Sequence, residues 1–439
     1  MKTIKHSKDR IRILCASLFF LFPFSFFHLQ AQTLRLSLEQ AQQYAVEHNA
    51  AMQNADLDMK KAELAKWKAL SSMLPQVKAG FDYQNMCGYE MHMGSGAMAI
   101  SIPMNPSGTF SLTASVALTG AQIVGVMLQD ISNQMTDITR QQTEQTTRAN
   151  VKNVYASILV MEQTIGLLDS SLANMERLAA TSQASVAVGA AEQVDADKLQ
   201  IQVATMRSSI SSTNRSLQAL RNSLLLQLGA DVNATLELTT SVDDILSVEG
   251  AAALLGQGFD ITRNHNYRLL EQSEQMAKKN VAMAWTNFSP TLTAYYQYSK
   301  KKYFGDEGMN MTPPNMIGAS LSVPLFTSGA NTAAVKSAKI DLQEAVNSRQ
   351  QAEDGLRVQY NQLCYDLASA LETYDIQSRN IEVTQRVFEN VTEKYRYGRS
   401  SSLEVTNAST DIITAQSNYI QAVMSVISAQ IALENLLNN

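Results

Sequence analysis

The side chains of this 439-residue chain best suited to chemistry are soft ligands gathered in two stretches. Met86, Cys87, Met91, His92 and Met93 lie close together, with Met98 and Met104 after them, and Met309, Met311 and Met316 form a second group. Thioethers and a thiol suit Cu(I) or Ag(I), so a soft-metal site is one chemistry the pattern allows. Methionine also fills irregular packing well. Loop packing is the simpler reading, and no metal or cofactor is assigned. Asp243 and Asp244 pair two carboxylates, but in a stretch rich in Thr, Asp and Gly that reads as surface turns. There is no nucleophile elbow, phosphate loop or metal-ligand spacing. Cys87 and Cys364 stand too far apart in sequence for a disulfide framework or a zinc site. The chain is therefore expected not to be an enzyme.

The elements that would position these residues begin after a leader. Lys2, Lys5, Lys8, Arg10 and Arg12 precede an uncharged apolar run from Ile13 to Phe27, followed by Leu29-Gln30-Ala31. That is the layout of a secretory signal peptide, so residues 1–31 are expected to be removed after Ala31. The run falls short of the roughly 20 residues a spanning helix needs. Cys15 sits too early in it for lipid attachment. Without the leader the net charge moves from −5 to near −9, which argues against nucleic acid as a partner. No later stretch is continuously apolar for the roughly 18 residues of a membrane helix. A closed β-barrel is the other way for a chain to span a membrane.

The chain is written twice. His48-Asn49, Lys60-Lys61, Trp67 and Pro75 recur as His265-Asn266, Lys278-Lys279, Trp285 and Pro290, at offsets of 217, 218, 218 and 215. Val116 to Thr119 corresponds to Val323 to Phe326. Tyr155 stands 34 residues before Gly189, and Tyr365 stands 33 before Gly398; Leu228 and Leu437 each follow their glycine by 39. The first copy spans 32–228 and the second 254–439, joined by a linking region at 229–253.

Each copy carries two stretches that alternate with period two, the strand signature. They lie at about 76–86 and 108–120, and at about 290–301 and 316–327. One face of each is apolar, and Phe81, Phe110, Leu112, Val116, Tyr296, Leu321 and Val323 are expected to face lipid, with small polar residues on the other side. Four strands are too few to close a wide barrel, so copies of the chain must pool them.

Between the strands runs heptad-spaced helix. Val154, Ile158, Met161, Ile165, Leu168, Leu172 and Met175 step by four and three, and Leu199 to Leu224 repeats the seam. Leu356 to Tyr374 and Tyr419 to Leu436 do the same in the second copy. Such a repeat winds helices around one another. Gly189 and Gly398 are the stops, which gives helical hairpins over 124–228 and 330–437. Shorter helices are expected at roughly 37–73 and 258–289.

Helix, strand, strand, long helix, Gly turn and helix, twice over, resembles the TolC-like outer-membrane efflux protein family (outer membrane factors). Leu38-Glu39-Gln40-Ala41 through Asn49 fits its opening, Pro75 and Pro290 its pre-strand prolines, and Gly398 through Leu403-Glu404-Val405 its turn. The resemblance implies a mainly α fold with a membrane β-barrel part. Long antiparallel coiled helices would form a periplasmic tunnel, and four strands per chain would contribute to a twelve-stranded trimeric barrel in the cell outer membrane. It implies a homotrimer that docks a periplasmic membrane-fusion adaptor at the tips around Gly189, Gly398 and Arg399. An inner-membrane pump of RND or ABC type would lie beyond the adaptor. Acidic residues after the second glycine narrow the family's periplasmic end, which singles out Glu404, with Asn407 where a second acid is common and Asp195 in the first hairpin. The expected role is an exit duct for small-molecule efflux. Type I protein secretion is the runner-up, and a coiled-coil structural surface protein is the rival outside transport.

Overall fold

The computed structural model describes residues 33–94, 100–304 and 313–438. The leader, Met98, Met309 and Met311 lie outside the described residues. In chain order the elements are β1 (Thr33–Leu36), α1 (Leu38–His48), α2 (Ala50–Ser71), β2 (Gln76–Gln84), β3 (Glu90–Met93), β4 (Ile100–Pro103), β5 (Ser107–Leu118), α3 (Gly120–Ala187) and α4 (Gln193–Leu228). They continue with β6 (Thr235–Leu238), α5 (Val242–Ile245), α6 (Val248–Leu254), α7 (His265–Trp285), β7 (Thr291–Tyr303), β8 (Asn315–Ser322), α8 (Ala330–Arg396) and α9 (Ser402–Leu437).

Two proline-free helices, α3 with 68 residues and α8 with 67, dominate the fold. At 1.5 Å per residue each runs about 100 Å. The α3 helix starts at a capping box in which Thr119 accepts from the Gln122 amide while the Gln122 side chain accepts from the Thr119 amide. Each long helix folds back on a 36-residue partner, α4 or α9. The seam carries the packing: Ile158, Leu168 and Met175 of α3 and Leu199, Val203, Met206, Leu217 and Leu224 of α4 are buried. Toward the tips, Met175, Leu178, Leu199 and Met206 meet Phe388, Val405 and Ile412, so the two hairpins share one core. By length and composition α9 is apolar enough to cross a membrane. Its apolar residues are used inside the helical layer instead, where Val405, Ile412, Val426 and Leu433 are buried.

The sheet order is β2-β5-β7-β8, antiparallel throughout, so the pairing β5–β7 joins the two halves of the chain. The last strand ends earlier than the alternation of 316–327 suggests. Pro324 has no N–H to give a ladder, and pairing stops at Ser322.

Three features depart from the sequence expectations. First, the linking region is built rather than loose: β6 lies parallel to β1, with Leu34 opposite Leu236, and both leucines enter the core under α3. Second, β3 and β4 form a small extra hairpin in the first inter-strand loop. Third, the first short helix breaks at Asn49, which caps α2 by accepting from the Ala51 amide. Asn264 caps α7 in the same way. Asn49 also donates to the Gln227 carbonyl (2.6 Å) and Asn264 to the Leu436 carbonyl (3.2 Å), one residue before the ends of α4 and α9. The donors of these matched bonds stand 215 residues apart, the same as Pro75 to Pro290, while their acceptors stand 209 apart, the same as Gly189 to Gly398. The His-Asn, Lys-Lys and Trp identities at 217 and 218 are therefore two to three residues out of structural register.

The Tyr155–Tyr365 correspondence also fails. Tyr155 is fully buried, whereas Tyr365 is 71% exposed. Tyr155 Oη donates to the Leu36 carbonyl (3.0 Å) and accepts from the amides of Thr239 (3.2 Å) and Thr240 (3.1 Å), pinning the C-terminal ends of the parallel strands β1 and β6 to α3. Among the described residues, the second half has no such strand pair to pin. Tyr155→Phe removes the acceptor for the Thr240 amide, at an expected cost of about 1–3 kcal/mol. A lowered melting midpoint, with faster proteolysis around residues 229–241, checks it.

Candidate functional site

Antiparallel pairing puts directly opposed residues on one face. The register aligns Ala79, Leu112 and Tyr298; Val77, Ala114, Tyr296 and Ile317; Val116, Ala294 and Ala319; and Leu118, Leu292 and Leu321. Phe81 and Phe110 continue the same face. Six of the seven expected lipid-facing residues thus share one surface. Val323 lies just past β8 and is exposed. Phe81 is 68% and Ile317 84% exposed, so the apolar face is bare. The other face carries Lys78, Thr113 and Gln297, then Gly80, Ser111 and Ser299, which is a polar lining. The outer strands β2 and β8 each pair on one side only, leaving two open edges in the described chain.

At the far end of the helices, Gly189 (φ +74°) and Gly398 (φ +65°) turn the two hairpins. Both make the same pair of closing bonds. Gly189 donates to Val186 and Ala190 to Ser185, as Gly398 donates to Tyr395 and Arg399 to Lys394. These are Schellman closures, which satisfy the last helix carbonyls. Arg399 is exposed at the second tip.

The three acidic-end residues do not converge within one chain. Glu404 closes a capping box on α9: Ser401 Oγ accepts from the Glu404 amide (3.2 Å), and Glu404 Oε2 accepts from the Ser401 amide (3.2 Å) and the Ser400 hydroxyl. The Ser400 bond, the Ser401 amide and the charge of Lys394 hold the Glu404 carboxyl below its ordinary value. Asp195 instead reaches across to the other hairpin, where the Ser402 hydroxyl donates to it, and Lys198 lies 3.6 Å away. Asn407 is exposed one turn beyond Glu404. The sequence reading missed Asp411, exposed on α9 at the next four-residue step, and Ser402, buried where it ties the hairpins together. The spacing 404, 407, 411 was the available signal for Asp411, because i+3 and i+4 positions share a helix face.

The methionines of the first loop, Met86, Met91 and Met93, are exposed. Met91 and Met93 oppose Ile102 and Ile100, while His92, with Ser101 opposite, points to the other side of the hairpin. The thioethers and the imidazole therefore diverge. Cys87 takes a positive φ (+51°) in a turn where its amide donates to the Asn85 side chain.

An outer membrane efflux protein family model matches residues 261–439. Among curated proteins, the outer membrane efflux protein BepC of Brucella suis biovar 1 is 26% identical over 119 residues, covering 27% of this chain and 26% of that protein. The match thus spans about a quarter of the relative's length. Among solved structures, CusC superposes with a TM-score of 0.73 at 16% identity, covering 91% of each chain. The outer membrane protein VceC of Vibrio cholerae gives 0.72 at 16% identity, covering 92% of this chain and 96% of that one. These likenesses show the fold. Residues 261–439 thus match the outer membrane efflux protein family, and the match supports an outer-membrane location with the helical part in the periplasm.

Proposed function

We propose that three copies of the chain form an exit duct that passes small molecules out of the cell. An inner-membrane pump of RND or ABC type and a periplasmic membrane-fusion adaptor would deliver the cargo. The observation that carries this is a four-stranded sheet with one bare apolar face and two open edges, set on the end of very long helices. Open edges in hydrocarbon leave amides and carbonyls without partners. Four strands cannot close a lumen. Pairing β8 of one copy with β2 of the next removes every edge, and three copies give twelve strands. The adaptor docks at the tips formed by Gly189, Gly398 and Arg399.

Asp195, Glu404 and Asn407 would line the periplasmic constriction of this duct. Three symmetry copies of Glu404 make a carboxylate ring, which attracts cations and repels anions. Because its serine partners favour the charged form, the ring stays ionised below the ordinary glutamate range. Sign follows from that: both the cap and the ring's charge are present at neutral pH and are lost as the pH falls through the depressed value. Glu404→Gln separates the two roles, since Gln at the same position still completes a capping box. The variant is expected to keep its melting midpoint while cation-over-anion preference in a planar bilayer falls at neutral pH and no longer changes with acid.

The mass of the purified protein in its detergent complex, with single-channel conductance, tests the whole reading. Three times the mass of one chain, with a small conductance, supports the duct. A soluble monomer without conductance ends it.

A further inference from the structure

We propose that Lys300 and Lys302, with the aromatic rings around them, bind the phosphate groups of the glycolipid of the outer membrane's outer leaflet. The proposal rests on the duct reading, because it needs the sheet to span with its helices on the periplasmic side. Strand β7 ends in Lys300-Lys301-Lys302. The register places Lys300 beside Phe110, itself opposite Phe81, and Lys302 beside Gly108, itself opposite Tyr83. Both lysines therefore stand on the apolar, outward face, and both are exposed. Lys301 points to the other face, in the row of Thr109 and Asp82. Asp82 is the single carboxylate in the four strands, so the outward face of the sheet carries two cations and no acid.

Height along the strand sets what such cations meet. Lys300 and Lys302 lie eight and ten residues above Leu292, at the helix end of the apolar face. At about 3.3 Å per residue and a tilt of about 40°, that is roughly 20–25 Å, the height of a barrel's apolar band. The lysines thus reach the headgroup layer rather than the hydrocarbon, where a buried cation would be costly. Aromatic rings gather at the same level. Tyr83 and Phe304 lie 5.9 Å apart, and both are exposed. Gly108 supplies the notch between them: a Cβ there would stand 3.1 Å from the Phe81 ring and 3.2 Å from the Phe304 ring. Rings for the upper acyl chains, with two ammonium groups just above, match the chemistry of a phosphorylated glycolipid.

The test uses the full-length protein purified in detergent and titrated with diphosphoryl lipid A, with the same lipid lacking its phosphates, and with inorganic phosphate. At about a factor of five per lysine near an anionic headgroup, the Lys300→Gln/Lys302→Gln protein is expected to bind diphosphoryl lipid A about 30-fold more weakly. Lys301→Gln should bind it as the wild type does. The dephosphorylated lipid should bind wild type and double variant alike, and millimolar inorganic phosphate should not compete. Equal wild-type affinity for the two lipids overturns the proposal, and so does an unchanged double variant. Effective competition by inorganic phosphate overturns it in favour of a free-anion site. Should the double variant fail to fold, the wild-type comparison of the two lipids decides alone. Recovery of the wild type from the outer-membrane fraction and its conductance are read in parallel. Their loss sinks the duct reading, whereas their presence without phosphate-dependent binding sinks only this proposal.

Discussion

Leu112→Arg is expected to deplete the protein from the outer membrane, whereas Thr113→Arg, one residue along, leaves it there. Leu112 sits near the middle of the apolar face, opposite Ala79 and Tyr298. Thr113 points the other way, among Lys78 and Gln297. An arginine facing lipid near the bilayer midplane costs about 2–4 kcal/mol, and the cost recurs in every copy of an assembly. An arginine on the wet face stays hydrated. The measurement is the fraction of each variant recovered in outer membranes, with its resistance to urea in lipid vesicles. Equal behaviour of the two variants would mean that the bare face does not meet lipid, and the spanning role of the sheet would fall with it.

That contrast also explains what was legible in the sequence. A strand between lipid and water must alternate, so Phe110, Leu112, Ala114 and Val116 against Thr109, Ser111, Thr113 and Ser115 announce both strand and orientation. The long helices were legible for a related reason: a seam of Ile158, Leu168 and Met175 must recur every three or four residues to stay buried. The β1–β6 pair was not legible. Each strand has four residues, and their partnership joins positions about two hundred residues apart, Leu34 with Leu236. Periodicity cannot be read from four residues, and pairing over that distance is decided by packing on Tyr155. Identity matching misled the repeat register because Lys and Trp on exposed helix faces are free to recur by chance, whereas Asn49 and Asn264 are fixed by capping and by a carbonyl across the fold.

At the candidate gate, one feature was readable and one was not. Ser401-x-x-Glu404 spells a capping box in the sequence, and the structure forms it. The bond from Ser402 to Asp195 joins two hairpins and depends on their relative rotation, which no local pattern encodes. Glu404 thus carries a local structural duty whether or not it also filters ions, and only a variant that preserves the cap can expose the second role.

Three glycines with positive φ end helices in this chain, and replacing each by alanine should give unequal results. Gly229 (φ +71°), Gly189 and Gly398 all accept a backbone twist that costs an L-residue about 1–2 kcal/mol. At Gly189 and Gly398 nothing lies within 4 Å of an added Cβ, so that twist is the whole cost. At Gly229 the Cβ would fall 2.3 Å from the His48 carbonyl oxygen and 2.7 Å from its carbon. Those are backbone atoms at the α1–α2 junction, held by the Asn49 bond to Gln227, and they cannot rotate away. Overpacking of this kind adds about 1–3 kcal/mol, so Gly229→Ala should lose roughly 2–5 kcal/mol in all. The helical melting midpoint in detergent, compared across the three variants, measures it. Gly229→Ala should melt far below the other two, with the β1–β6 region first to open. If all three melt together, the close approach of α4 to the α1–α2 junction is not a fixed feature of the folded chain, and the repeat register drawn from Asn49 and Asn264 loses its anchor.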